Sequence, residues 1–206
     1  GYSRQIVVTE RMVVRIPEGI DLDEAAPLMC AGITTYSPLK RWGAGPGRKV
    51  AVVGVGGLGH MAVKLAHAMG AEVTTLSRSM DKADDARALG ASEHLATGDA
   101  EAMKAARGRF DLIINTVSAN LDMEAYLRLL SPFGALVNVG LPDEPYSVRP
   151  FAVIGGNKVL TGSQIGGIAE TQEMLDFCAE HGIGATVEGS PASDINTAYE
   201  RVLASD

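Results

Sequence analysis

The chain has 206 residues, 46% hydrophobic but only 5% aromatic, with a net charge of -7 and a pI near 5.1. That is enough apolar sequence to bury a sizeable core in one or two domains, and the acidic balance with scattered basic residues argues against nucleic acid or an anionic membrane as the main partner. Cys30 and Cys178 are the only cysteines, which excludes a disulfide framework and fits a reducing cytoplasm; the most apolar stretch, Val50 to Leu65, carries His60 and Lys64 and is unsuited to spanning a bilayer.

Taken in order, Tyr2–Ile16 reads as two short strands, with no signal peptide expected ahead of them, and Asp23–Trp42 as largely helical. From about Val50 strands and helices alternate, the signature of a parallel sheet covered on both faces. Lys49–Gly54 (KVAVVG) is a buried strand ending in glycine. Leu58–Met69 follows as a helix with Met61, Leu65 and Met69 on one face. Glu72–Ser77 is the second strand, Lys82–Leu89 a helix stopped by Gly90, Glu93–Thr97 a short third strand and Asp99–Arg107 a helix. Phe110–Val117 and Ala135–Gly140 are the fourth and fifth strands, with helical Asp122–Leu130 between them, closed by Pro132 and Gly134. Lys158–Ile165 gives the sixth. Helix Ala169–Glu180, a short strand near Ala185–Gly189 and helix Asp194–Ala204 close the chain. The fold class is therefore α/β, a doubly wound parallel sheet with residues about 31–165 as its core.

The chemistry begins at Gly54-Val55-Gly56-Gly57-Leu58-Gly59, between a strand and a helix. Gly54 permits the tight turn, Gly56 lets backbone N–H groups approach a pyrophosphate, and Gly59 lets the helix pack closely on the sheet. The helix N-terminus favours the anion. At the end of the second strand, a site for an unphosphorylated ribose usually carries a carboxylate. Here stand Ser77, Arg78 and Ser79, with Lys82 one helical turn on. A carboxylate would repel a 2′-phosphate, whereas two hydroxyls, a guanidinium and an ammonium suit one, although Asp81 tempers the field. The pattern favours NADP(H) over NAD(H). Thr116 and Gly140 end the fourth and fifth strands, where an open parallel sheet presents its ligand crevice. Cys30, taken alone, reads as a small core hydrophobe, and Cys178 as packing within a helical apolar pattern.

Four separated runs carry a family resemblance that covers essentially the whole chain. They are Ala26–Leu39 (APLMCAGITTYSPL), the glycine turn with His60-Met61, Thr161–Gly167 (TGSQIGG) and Glu170–Cys178 (ETQEMLDFC). The sequence resembles the medium-chain zinc-dependent alcohol dehydrogenases, specifically the cinnamyl alcohol dehydrogenase-like branch. That resemblance implies a six-stranded Rossmann domain at 31–165, flanked by 1–30 and 166–206 as parts of the family's catalytic (GroES-like) domain. It implies that Cys30 is a ligand of the catalytic zinc. The family's other ligands, a cysteine and a histidine–glutamate pair, belong to an N-terminal segment this sequence does not include, as does its four-cysteine structural zinc cluster. Thr34 would face the nicotinamide, and Ser163, Gln164 and Ile165 would offer backbone groups to its carboxamide. Ser77, Arg78, Ser79 and Lys82 match the family's 2′-phosphate site, although the branch often has serine where Arg78 stands. Pairing of two copies through the sixth strand, near Lys158–Ser163, is implied as well.

The activity implied is zinc-dependent hydride transfer between NADP(H) and an aldehyde–alcohol pair, with this chain mainly the cofactor-binding part and inactive alone. Two other readings stay open. A zinc-free medium-chain quinone or enone reductase would share fold and cofactor, and metal analysis separates it. A nucleotide-sensing module would bind without turnover.

Overall fold

Five residues set the pattern of the whole sheet. In β1 (Lys49–Val53), Val50 and Val52 enter one apolar cluster while Ala51 and Val53 enter another, the period-two alternation of a strand buried on both faces. The computed structural model describes residue 3 and residues 5–204. Around β1 stand β2 (Glu72–Ser77), β3 (Glu93–Ala96), β4 (Phe110–Asn115), β5 (Leu130–Asn138) and β6 (Val159–Gly162), in the order β3-β2-β1-β4-β5-β6 with every pairing parallel. The expected six-stranded doubly wound sheet is present. Its switch point falls between β1 and β4, because the chain leaves β1 toward β2 and later returns to β1's other side.

Nine α-helices are found among the described residues: α1 (Leu22–Pro27), α2 (Ile33–Arg41), α3 (Gly57–Ala68), α4 (Ala83–Ala88), α5 (Ala100–Ala105), α6 (Met123–Leu127), α7 (Phe151–Ile154), α8 (Ile168–His181) and α9 (Ile195–Ala204). One cluster joins Leu28, Ile33 and Leu39 to Met61 and Leu65 of α3, to Met174, Leu175 and Cys178 of α8, and to the β1 and β4 side chains on that face. The second cluster joins Met123, Tyr126 and Leu127 of α6 to Phe110, Ile113 and Leu136. Both flanks thus pack onto the sheet's own core. Among the described residues no helix is long and apolar enough to cross a membrane.

The structure corrects several boundaries. No strand forms within Tyr2–Ile16 among its described residues, which carry only a 3-10 turn at Glu10–Met12; Tyr2 and Arg4 lie outside the described residues. Thr9 and Val13 keep extended backbone angles, but a strand also needs a neighbour to take its N–H and C=O groups. At Arg15 a side chain does that work. Gln172 accepts from the Arg15 N–H at 2.8 Å and donates to its carbonyl at 3.0 Å. Ala185–Gly189 is likewise not a strand, because its first amides turn to the Glu24 carbonyl and to His60. The helix expected over Asp23–Trp42 is interrupted by a π-helical turn at Leu28–Gly32. The fifth strand begins earlier than Ala135, at Leu130, and bulges: Phe110 pairs with Leu130 but Leu112 with Ala135, the extra residues folding around Phe133 at φ 64°. The sixth strand ends at Gly162, short of Ile165.

Candidate functional site

The carboxyl ends of the strands lie in one row. Val53 is opposite Leu76 in β2 and Asn115 in β4; Asn115 is opposite Asn138 in β5, and Asn138 opposite Gly162 in β6. One residue beyond that row stand Gly54, Ser77, Thr116 and Ser163, which the sequence singles out on four separate grounds. Gly140 follows two residues after Asn138. Register in a parallel sheet, rather than any local motif, brings them to one edge.

Gly54 turns the chain at φ +90°, a conformation that suits glycine. A β-carbon there would stand 2.7 Å from Val117 Cγ2 and 2.9 Å from Thr116 Oγ1. Thr116 donates its hydroxyl to the Val53 carbonyl at 2.8 Å, so it braces the turn from β4. Gly59 is buried where a β-carbon would stand 2.8 Å from the Gly54 carbonyl carbon. At Gly56 and Gly57, by contrast, an added β-carbon meets nothing within 4 Å. The turn is tight where helix meets strand and open at Gly56 and Gly57. The first amides of α3 have no intrahelical acceptor and point toward that opening, with the positive end of the helix dipole behind them. Val55 lines a hollow together with Gly56, Gly57, His60 and Lys64. His60 holds the Gly56 carbonyl through Nδ1 at 3.2 Å and accepts from the Thr186 amide at Nε2, also at 3.2 Å. Burial lowers its pKa, and both nitrogens are engaged.

At the end of β2, Ser77 donates to the Ser79 carbonyl at 2.7 Å, and Ser79 donates to Asp81 at 2.8 Å. Lys82 caps α4 and pairs with Asp85 at 3.6 Å, an exposed and easily broken contact. Arg78 is exposed, and its guanidinium has no hydrogen bond or ion pair among the described residues.

A second group converges beyond β5 and β6. Cys30, Thr34, Leu58, Gly140, Ser163, Gln164 and Ile165 line one cleft of about 700 Å³. Cys30 and Thr34 reach it together because they lie one helical turn apart. Cys30 is exposed, in contrast to Cys178, whose thiol is pushed up to about 12 by burial. Ile165 has φ 38°, an unusual conformation for a β-branched residue. Gly140 is fixed by crowding, since a β-carbon would stand 2.6 Å from the Val117 carbonyl carbon. The residues at the end of β2 do not line this cleft; they occupy the opposite side of the switch point.

Sequence reasoning missed the polar frame behind these strand ends. Asn115 donates to Asn138 Oδ1 at 2.6 Å, Tyr146 donates to the same oxygen at 2.9 Å, and Asn138 donates to the Gly140 carbonyl at 2.6 Å. An amide at the end of each of two largely buried strands was the available signal, because a buried amide needs partners.

A catalytic zinc needs about three protein ligands. Among the described residues no three His, Cys, Asp or Glu side chains cluster in a way that could hold a metal. Cys30 is a single thiol donor in the cleft, so these residues alone do not make a zinc site.

Sheet order, switch-point glycine turn and the cleft beyond the strand ends define a doubly wound α/β domain of Rossmann type. The chain belongs to the zinc-binding dehydrogenase family, whose model matches residues 57–180. It is 61% identical over its whole length to an NADP-dependent alcohol dehydrogenase from Mycolicibacterium smegmatis and 59% identical to a probable formaldehyde dehydrogenase from Bacillus subtilis, covering 59% of each. Among solved structures it resembles a cinnamyl alcohol dehydrogenase from Sorghum bicolor, with TM-score 0.94 and 46% identity over 97% of this chain and 57% of that one. It also resembles CAD from Helicobacter pylori complexed with NADP(H), with TM-score 0.87 and 42% identity over 96% of this chain and 56% of that one.

Proposed function

We propose that this chain is the NADP(H)-binding part of an alcohol dehydrogenase or aldehyde reductase that interconverts an aldehyde and its alcohol. The observation that carries the reading is the single row of strand ends, which sets an open glycine turn, a guanidinium unpaired among the described residues and a cleft with a free thiol along one edge of the sheet. NADP dependence in a relative's name and NADP(H) in a similar structure support the choice of cofactor. When bound, the dinucleotide supplies the hydride.

The chain's own residues then do the holding. Amides at the start of α3, reached past Gly56 and Gly57, take the pyrophosphate. Arg78, with Ser77, Ser79 and Lys82, takes the 2′-phosphate. Thr116 keeps the turn in shape. Ser163, Gln164 and Ile165 present backbone groups to the carboxamide, and Thr34 lines the nicotinamide end of the cleft. Cys30 is proposed as one donor to a zinc whose further donors are not among the described residues, and no step is derived through that metal. Residues 31–165 form the cofactor domain in this proposal, with 1–30 and 166–206 as parts of a second domain. A cytoplasmic location and pairing of two copies along the open edge of β6 belong to it too.

Fluorescence titration of the purified chain with NADPH and NADH tests the reading. NADPH is expected to bind at least about tenfold more tightly, as one charge-assisted phosphate contact implies. Equal affinities refute the cofactor assignment.

A further inference from the structure

We propose that His94 is a positioning residue that makes this site select a 2′-phosphorylated dinucleotide, by locking the Ser77–Ser79 loop in its phosphate-receiving shape. The inference rests on the NADP(H) reading above.

His94 lies on β3, opposite Thr75 of β2, and is 7% exposed. A buried imidazole needs partners at both nitrogens. Nε2 is 3.0 Å from the Ser79 carbonyl and 3.0 Å from Ser77 Oγ. A carbonyl only accepts, so the network assigns the proton to Nε2. Nδ1 then accepts, and the Thr75 hydroxyl at 2.7 Å is its donor. One ring thereby ties the interior of β2 to the loop that follows it.

The loop is gripped at three consecutive carbonyls. Thr97 N–H donates to the Ser77 oxygen at 2.7 Å, and Gly98 N–H donates to the Arg78 oxygen at 3.2 Å. The Ser79 oxygen accepts from His94 and from the Ser77 hydroxyl at 2.7 Å. Unpaired carbonyl oxygens would repel a phosphate. Here each has a donor, and the exposed Arg78 guanidinium has no hydrogen bond or ion pair among the described residues. Gly98 belongs to the same grip, since a β-carbon there would stand 2.9 Å from the Arg78 oxygen. Thr97 and Gly98 act through backbone, so His94 is the side chain from β3 on which the loop's third anchor depends.

The consequence is selectivity rather than general affinity. Pyrophosphate and nicotinamide are held from β1, β5 and β6, whereas the Ser77–Ser79 loop reads the ribose 2′ position. Loosening it removes what distinguishes NADPH from NADH.

The test is a titration of wild type, His94→Phe and His94→Gln with NADPH, NADH, adenosine 2′,5′-bisphosphate and 5′-AMP. Phenylalanine fills the space without a donor, while glutamine restores an N–H near Nε2. His94→Phe is expected to weaken both 2′-phosphorylated probes about tenfold, with NADH and 5′-AMP within about twofold, and His94→Gln to recover most of the difference. Should His94→Phe fail to fold, Thr75→Val, which removes the donor to Nδ1 and a longer 3.4 Å contact to the Glu93 carbonyl, is expected to lower the same ratio. Equal weakening of all four probes, unchanged selectivity, or failure of glutamine to restore it overturns the proposal. A wild type with no preference for the 2′-phosphate overturns the cofactor reading, and this inference with it; a preference that survives His94→Phe overturns this inference alone.

Discussion

Gly59 of α3 lies against the backbone of Gly54, so close that a β-carbon on Gly59 would stand 2.8 Å from the Gly54 carbonyl carbon and nearer still to its oxygen. The first helix residues therefore approach the strand they follow with nothing between them. Backbone cannot move aside as a flexible side chain can. Gly59→Ala is expected to lower the melting temperature by several degrees, as an overpacked core position costs about 1–3 kcal/mol. Unchanged melting by circular dichroism would show that the helix can lift off the strand.

Gly56, three residues earlier, gives the opposite expectation. Its φ of -116° suits any residue, and an added β-carbon meets nothing. Gly56→Val should fold and melt like wild type, yet lose dinucleotide binding by a hundredfold or more, because its methyl groups fill the space in front of the α3 amides. Calorimetry with NADPH decides. Retained binding would mean that the pyrophosphate does not lie there.

Arg78, at the end of β2, is exposed and has no hydrogen bond or ion pair among the described residues. Arg78→Ala is expected to weaken NADPH by roughly ten- to a hundredfold, the worth of about 1.5–3 kcal/mol for one charge-assisted phosphate contact, and to leave NADH nearly unchanged. Parallel loss of both cofactors would move Arg78 out of the 2′-phosphate site.

The sheet and its glycine turn were legible because both are local: strands repeat every two residues, and Gly54–Gly59 sits where one pattern gives way to the other. What stayed hidden depends on partners far along the chain. Thr9 and Val13 have strand-like angles but no ladder, and Gln172 serves Arg15 from the far side of the sequence. Four-residue α7 is too short to show a helical period. The Asn115–Asn138–Tyr146 frame joins residues from three segments, and His94 reads in sequence as one more residue of a short strand.

Glu124 carries a pH dependence. Arg149 donates to its carboxylate through Nε at 2.9 Å and Nη2 at 2.5 Å, and through its backbone N–H at 2.8 Å. The Arg149 guanidinium, then that amide, holds the carboxyl down at about 2, from its ordinary 4.5. A folded-state value below the unfolded one stabilises above the unfolded pKa and is lost as pH falls through the folded pKa. Glu124→Gln should therefore melt below wild type at pH 7, and the gap should close between about pH 4.5 and pH 2. A gap independent of pH across that window would mean that packing, not charge, separates the two proteins.

The last expectation concerns metal and turnover in this chain. Cys30 faces the cleft with an exposed thiol. Cys178, His60 and His94 are engaged elsewhere in the fold. The Cys178 thiol is buried beside Met174 Sδ at 3.6 Å. His60 and His94 each have both nitrogens bonded within the fold, and His181 Nδ1 lies 2.9 Å from the Phe177 carbonyl. One thiolate leaves most of a zinc tetrahedron to water, and such a site binds weakly. The purified 206-residue chain is expected to hold far less than one zinc per molecule by elemental analysis and to reduce no member of an aldehyde panel. NADPH binding should nonetheless persist, because the glycine turn, Arg78 and Ser163–Ile165 all lie within it. Stoichiometric zinc with robust aldehyde reduction would overturn the reading of Cys30 as one donor of a site completed by residues other than those described.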